Sequence, residues 1–133
     1  MIARGTARRQ TSPAAAALLL LAAAAGCTPL ARPELAEPRP ETLAAVRGLV
    51  AHPCNRTTAA ALDGFGVPPD DLRSIYYDER VTGSGRGTLQ GYDAWVGLRR
   101  GPGELVIRHQ PTCAFMTSYT QGGLRVGPDA GGG

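Results

Sequence analysis

Two histidines (His52 and His109), three cysteines (Cys27, Cys54 and Cys113) and two acid pairs (Asp70-Asp71 and Asp78-Glu79) carry the reactive groups of this 133-residue chain. Nucleophilic catalysis needs a Ser or Cys beside a His that an acid orients. Neither histidine stands in such a pattern. His52 precedes Pro53 at the end of a helical stretch, where a cation complements the helix dipole, and His109 closes a strand beside a turn. No H-E-x-x-H, G-x-S-x-G or C-x-x-C occurs. Gly83-Ser-Gly-Arg-Gly87 has the glycine content of a phosphate loop, but such loops open a helix whose N–H groups face the anion, and here a strand follows. Successive strand residues point to opposite faces, so Asp78 and Glu79 share neither a proton nor a metal. Asn55-Arg56-Thr57 is spelled like a glycosylation acceptor with nothing around it to give that weight. The chain reads as non-enzymatic, without cofactor or metal.

A binding pattern is clearer than a catalytic one. From Leu89 to Leu98 the residues alternate, placing Tyr92, Ala94, Val96 and Leu98 on one face and Asp93 and Trp95 on the other. Gly101-Pro-Gly103 closes a hairpin into Glu104–His109, which brings Arg108 near them across the hairpin. An aromatic beside an arginine is the composition of an interaction hot spot. Asp93, Trp95 and Arg108 are therefore the candidate interaction residues. The competing expectation covers Trp95 with the N-terminal segment, the glycine-rich loop or a helix.

The elements that must position these residues follow from periodicity and punctuation. Pro40 opens a helix predicted over 41–51, with Leu43, Val46, Leu49 and Val50 on one face, and Pro53 stops it. A second short helix is predicted from Thr57 to Leu62, ended by Gly64. Strands are predicted over 75–81, 89–98, 104–109 and 113–119. Connections this short force antiparallel pairing, because a parallel crossover takes roughly a dozen residues. The fold expected is α+β, two short helices packed on a four-stranded antiparallel meander. Cys54 and Cys113 are expected to form a disulfide across it, the alternatives being two free buried thiols or a metal pair.

The N-terminus reads as an address. Arg4, Arg8 and Arg9 precede an apolar run from Ala14 to Ala25, the basic and hydrophobic regions of a secretory signal peptide. The run is too short for comfortable membrane spanning, which takes about 20 residues. It ends in Ala24-Ala25-Gly26-Cys27, which resembles the lipobox of bacterial lipoproteins. The resemblance implies cleavage after residue 26 and acylation of Cys27, palmitate among the chains, and two or more chains anchor stably. Thr28, rather than Asp, follows the cysteine, which by the same resemblance implies the outer membrane, periplasmic face. Residues 28–40, with Pro29, Pro33, Pro38 and Pro40, are expected as an extended tether reaching roughly 40 Å. The organisation expected is a signal peptide at 1–26, lipidated Cys27 and tether at 27–40, a folded domain at 41–126 and a disordered tail at 127–133.

Charge agrees with export rather than with nucleic acid. All 14 basic residues are arginine, set against 11 acids for a formal net charge of +3. Removing 1–26 takes away Arg4, Arg8 and Arg9 and no acid, leaving 11 of each sign. A neutral domain has no electrostatic footprint for nucleic acid.

Thr57 to Tyr77, a short helix ending Gly-Phe-Gly-Val-Pro before an aromatic strand, is similar to the helix-Gly-x-Pro-strand element of small outer-membrane lipoproteins of the BamE/SmpA/OmlA type. Gly91-Tyr-Asp-Ala-Trp-Val also looks like small uncharacterised proteobacterial lipoproteins. The first resemblance implies an accessory or scaffold that binds another envelope protein and holds the membrane through Cys27. An alternative of another class is a periplasmic binder or inhibitor of a small ligand or hydrolase.

Overall fold

The computed structural model describes residues 26–127. The expectations for residues 1–25, the body of the export signal, and for the tail beyond 127 lie outside the described residues.

Pro40–Leu49 forms α1, with proline in the first turn where its missing N–H is no loss. Asn55–Gly64 forms α2, longer at both ends than its alanine-rich centre suggests. The helices are antiparallel because the start of α1 meets the end of α2 at one carboxylate. Asp63 accepts from the Arg39 backbone N–H at 2.7 Å, Arg39 Nε at 3.1 Å and Thr42 Oγ1 at 2.6 Å. Arg39 lacks a capping side chain of its own, so Asp63 supplies the anion that an N-terminus favours. Burial pushes the Asp63 carboxyl up, but these three donors outweigh it and hold it below the usual carboxylate range.

After a single 3₁₀ turn at Pro69–Asp71, the chain forms four long strands. These are β2 (Leu72–Thr82), β3 (Thr88–Leu98), β4 (Glu104–His109) and β5 (Phe115–Gln121). A two-residue strand, β1 (Thr28–Pro29), completes an antiparallel sheet in the order β1-β5-β4-β3-β2. The class is α+β as expected, but the sheet has five strands instead of four. The fifth comes from the segment expected as a free tether. Thr28 pairs with Thr120, Pro29 with Tyr119, and the Leu30 N–H bonds the Ser118 carbonyl at 3.1 Å. Pro33 and Pro38 are buried, and Leu30 and Leu35 pack against the core. Apolar side chains interleaved with the prolines give this segment something to bury, and it closes the otherwise open edge of β5.

Helices cover one face of the sheet. Ile75, Ala94, Val96, Leu105 and Ile107 point there and meet Val46, Leu62 and Phe65 in one core. The disulfide joins Cys54, just before α2, to Cys113, with Cα atoms 4.9 Å apart and 59 residues between them in sequence. It ties the helical layer to the turn between β4 and β5.

Candidate functional site

The face of the sheet turned away from the helices is built by register. Tyr76 pairs with Trp95, Trp95 with Val106 and Val106 with Tyr119, a row crossing four strands. Tyr76 is 49% exposed, Trp95 and Tyr119 are half-buried, and Val106 is fully buried beneath its neighbours. The Tyr76 and Trp95 rings lie parallel with centroids 5.9 Å apart. Met116, 43% exposed, extends the apolar surface near the start of β5.

One register step along, Asp78, Asp93, Arg108 and Thr117 form the next row. Asp93 is almost wholly buried, between two guanidinium groups. Arg80 Nε donates to Oδ1 at 2.7 Å, and Arg108 Nε lies 3.4 Å from Oδ2. Arg80 also donates to the His109 carbonyl at 2.8 Å. Gly91 makes room for it: its φ is +144°, and a Cβ there would stand 1.9 Å from that carbonyl oxygen and 2.5 Å from Arg80 Nη2. Arg108 then lies over the Tyr119 ring, 5.6 Å from its centroid, close enough for cation–π attraction.

The three residues read from the sequence as interaction candidates thus share one face, in different surroundings. Trp95 offers surface, Arg108 is partly open, and Asp93 is an internal tie that holds Arg108 in place. Arg80, Tyr76 and Tyr119 were missed. Alternation along β2 signalled Tyr76 and Arg80 alike, since Tyr76, Asp78 and Arg80 follow one another on one face of the strand before the register shift that comes after Arg80.

The helix-covered face carries a polar cluster that sequence reasoning treated as two separate histidines. Asn55 Nδ2 donates to the Val50 carbonyl at 2.8 Å, which turns Oδ1 toward Tyr77, whose hydroxyl donates at 2.9 Å. Thr58 Oγ1 must then donate to Tyr77, 2.7 Å away, and accept from His109 Nε2 at 3.1 Å. His109 therefore carries a proton on Nε2, and its burial favours the neutral ring. The Thr58 hydroxyl proton points away from the imidazole, so the pair is not wired as nucleophile and base. Burial pushes His109 down to about 4, with the Tyr92 and Ile107 carbonyls pulling only partly back and nearby His52 adding to the fall. Burial pushes Tyr77 up to about 12, slightly relieved by the Thr58 bond. The His52 ring stacks on Tyr77 with centroids 3.7 Å apart and accepts from the Cys54 N–H at 3.1 Å.

Among the described residues, no group of three or more His, Cys, Asp or Glu is placed to hold a metal, and no helix is long and apolar enough to cross a membrane. Cys27 is exposed, with Sγ 4.0 Å from Gln121 Oε1. No family model matches the chain, and neither a curated protein nor a solved structure matches it.

Proposed function

We propose that this chain is a non-enzymatic lipoprotein of the bacterial envelope, anchored through Cys27 at the periplasmic face of the outer membrane. Its work is to bind another envelope protein through the uncovered sheet face. The observation that carries the reading is the parallel Tyr76–Trp95 pair beside Arg108, on the side of the sheet away from the helices. Aromatic and arginine anchors dominate interface energies because they bury large rigid areas and keep a polar handle. The Asp93 carboxylate, held by Arg80, draws the Arg108 guanidinium to within 3.4 Å before a partner arrives, which lowers the ordering cost of binding. The partner best suited presents an apolar patch with a carboxylate at its rim. The export signal and the lipobox spelling of Ala24 to Cys27 supply the address.

The test is a photo-crosslinking residue placed at position 76 or 116 in cells, with position 86 in the far hairpin as control. Adducts to one envelope protein from positions 76 and 116 alone, lost on Trp95→Ala, are expected. Equal capture from position 86, or none from the sheet face, rejects the reading.

A further inference from the structure

We propose that the end of the sheet beside Cys27 is the surface that lies against an anionic phospholipid bilayer, so that the domain is seated on the membrane rather than suspended above it. The inference rests on acylation of Cys27.

The residue after Cys27 is already in the sheet, since Thr28 pairs with Thr120. An acyl chain on Sγ would leave the protein beside Gln121, where β5 finishes. The same end holds the start of β2, the Gly101-Pro-Gly103 turn between β3 and β4, and the segment leaving β5. Gly103 and Gly122 pack backbone to backbone there, both at positive φ; a Cβ on Gly103 would stand 2.1 Å from the Gln121 carbonyl oxygen. Among the described residues, the turn between β3 and β4 and the segment leaving β5 are therefore closely joined at this end.

Its charge suits that surface. Arg73, Arg99, Arg100 and Arg125 are exposed at this end, against Asp70, Asp71 and Glu104. Asp71 is taken up by the Arg100 backbone N–H at 3.0 Å and by its guanidinium, while Glu104 accepts from Gln121 at 3.4 Å. Arg100, Gly101, Pro102, Gly123, Leu124 and Arg125 line an open cleft of about 210 Å³ that would admit a lipid phosphate beside Arg125, the Arg100 guanidinium being paired with Asp71. Toward the β2–β3 hairpin the sheet instead balances Asp78, Glu79 and Asp93 against Arg80, Arg86 and Arg108. Arginine near an anionic leaflet is attracted and the effect fades within a Debye length, so the charges set orientation and the lipid supplies hold.

The mature chain from Cys27 keeps every helix and strand described, and Cys27 is its free thiol among the described residues. A maleimide-bearing phospholipid can therefore be coupled there and the protein mounted on vesicles, whatever cells do to Cys27. Amide hydrogen exchange at 99–103 and 122–126 is expected to slow roughly threefold or more on vesicles containing phosphatidylglycerol, relative to phosphatidylcholine alone. Residues 83–87 should not change. Arg73→Gln with Arg125→Gln should remove the difference while leaving the melting temperature unaltered. Equal slowing at 83–87, no dependence on anionic lipid, or the same protection from inorganic phosphate without vesicles would each overturn the proposal. Mass spectrometry of Cys27 from native membranes tests the lipoprotein reading separately: an unmodified thiol sinks that reading, whatever the vesicles report.

Discussion

Tyr76 and Trp95 stand opposite each other on β2 and β3 with their rings within 1° of parallel and 5.9 Å between centroids. Neither ring belongs to the core between helices and sheet, so their worth to the fold is modest. A cross-strand aromatic pair adds about 0.5–1.5 kcal/mol.

Tyr76→Ala should therefore lower denaturant-measured stability by about 1 kcal/mol and weaken binding of the proposed envelope partner by about 2 kcal/mol or more. Binding that falls only in step with stability would remove the interaction role.

Removing Arg80 should do the reverse. Asp93 is buried, with Arg80 at 2.7 Å and Arg108 at 3.4 Å, and loss of the nearer partner leaves a poorly compensated charge. Arg80→Met should cost about 3 kcal/mol, and the double change Arg80→Met with Asp93→Leu should recover part of that. Urea midpoints for the two chains decide it; an Arg80→Met chain as stable as the parent would mean the tie is idle.

The His109 imidazole makes stability depend on pH. Its folded value, about 4, lies below its ordinary 6.5. The unfolded chain therefore binds more protons between those values, and stability rises with pH across that window. The contribution is complete above 6.5 and is lost as pH falls toward 4, a total of about 3 kcal/mol. His52, lowered by burial with Glu79 partly opposing, acts in the same direction. An imidazole NMR titration of His109 near its ordinary value, or a flat stability profile from pH 7 to 4, would contradict this.

Reduction of the Cys54–Cys113 bridge opens a loop that spans most of the fold. The chain-entropy model gives a loss of about 4 kcal/mol. Thermal melts with and without reductant should separate by many degrees. Coincident melts would assign the bridge no stabilising role.

Gly91→Ala should damage the same tie from the backbone side, because the added methyl meets the His109 carbonyl and the Arg80 guanidinium together. A loss comparable with that of Arg80→Met, and not additive with it, is expected from residues in one network. Full additivity in a double-mutant cycle would uncouple them.

What could be read along the chain was local. Alternation from Leu89 to Leu98 sorted Trp95 and Asp93 from the core-facing residues, proline and glycine marked the ends of both helices, and short connections enforced antiparallel strands. Each depends on residues within a few positions of one another, where period and turn chemistry act. The parity of the cysteines left after Cys27 pointed to the bridge. The rest depended on meetings between distant segments. Thr28–Pro29 has no period to detect, and becomes a strand only because β5 presents an open edge more than ninety positions later. The buried Pro33 and Pro38 follow from that docking. Arg80 reaches Asp93 diagonally across the β2–β3 pair, over the gap left at Gly91, and the proton on His109 Nε2 is dictated by an amide on α2 turned toward Val50. Local pattern chose the elements and their faces; cross-strand register and the packing of α2 on the sheet decided which charges and rings touch.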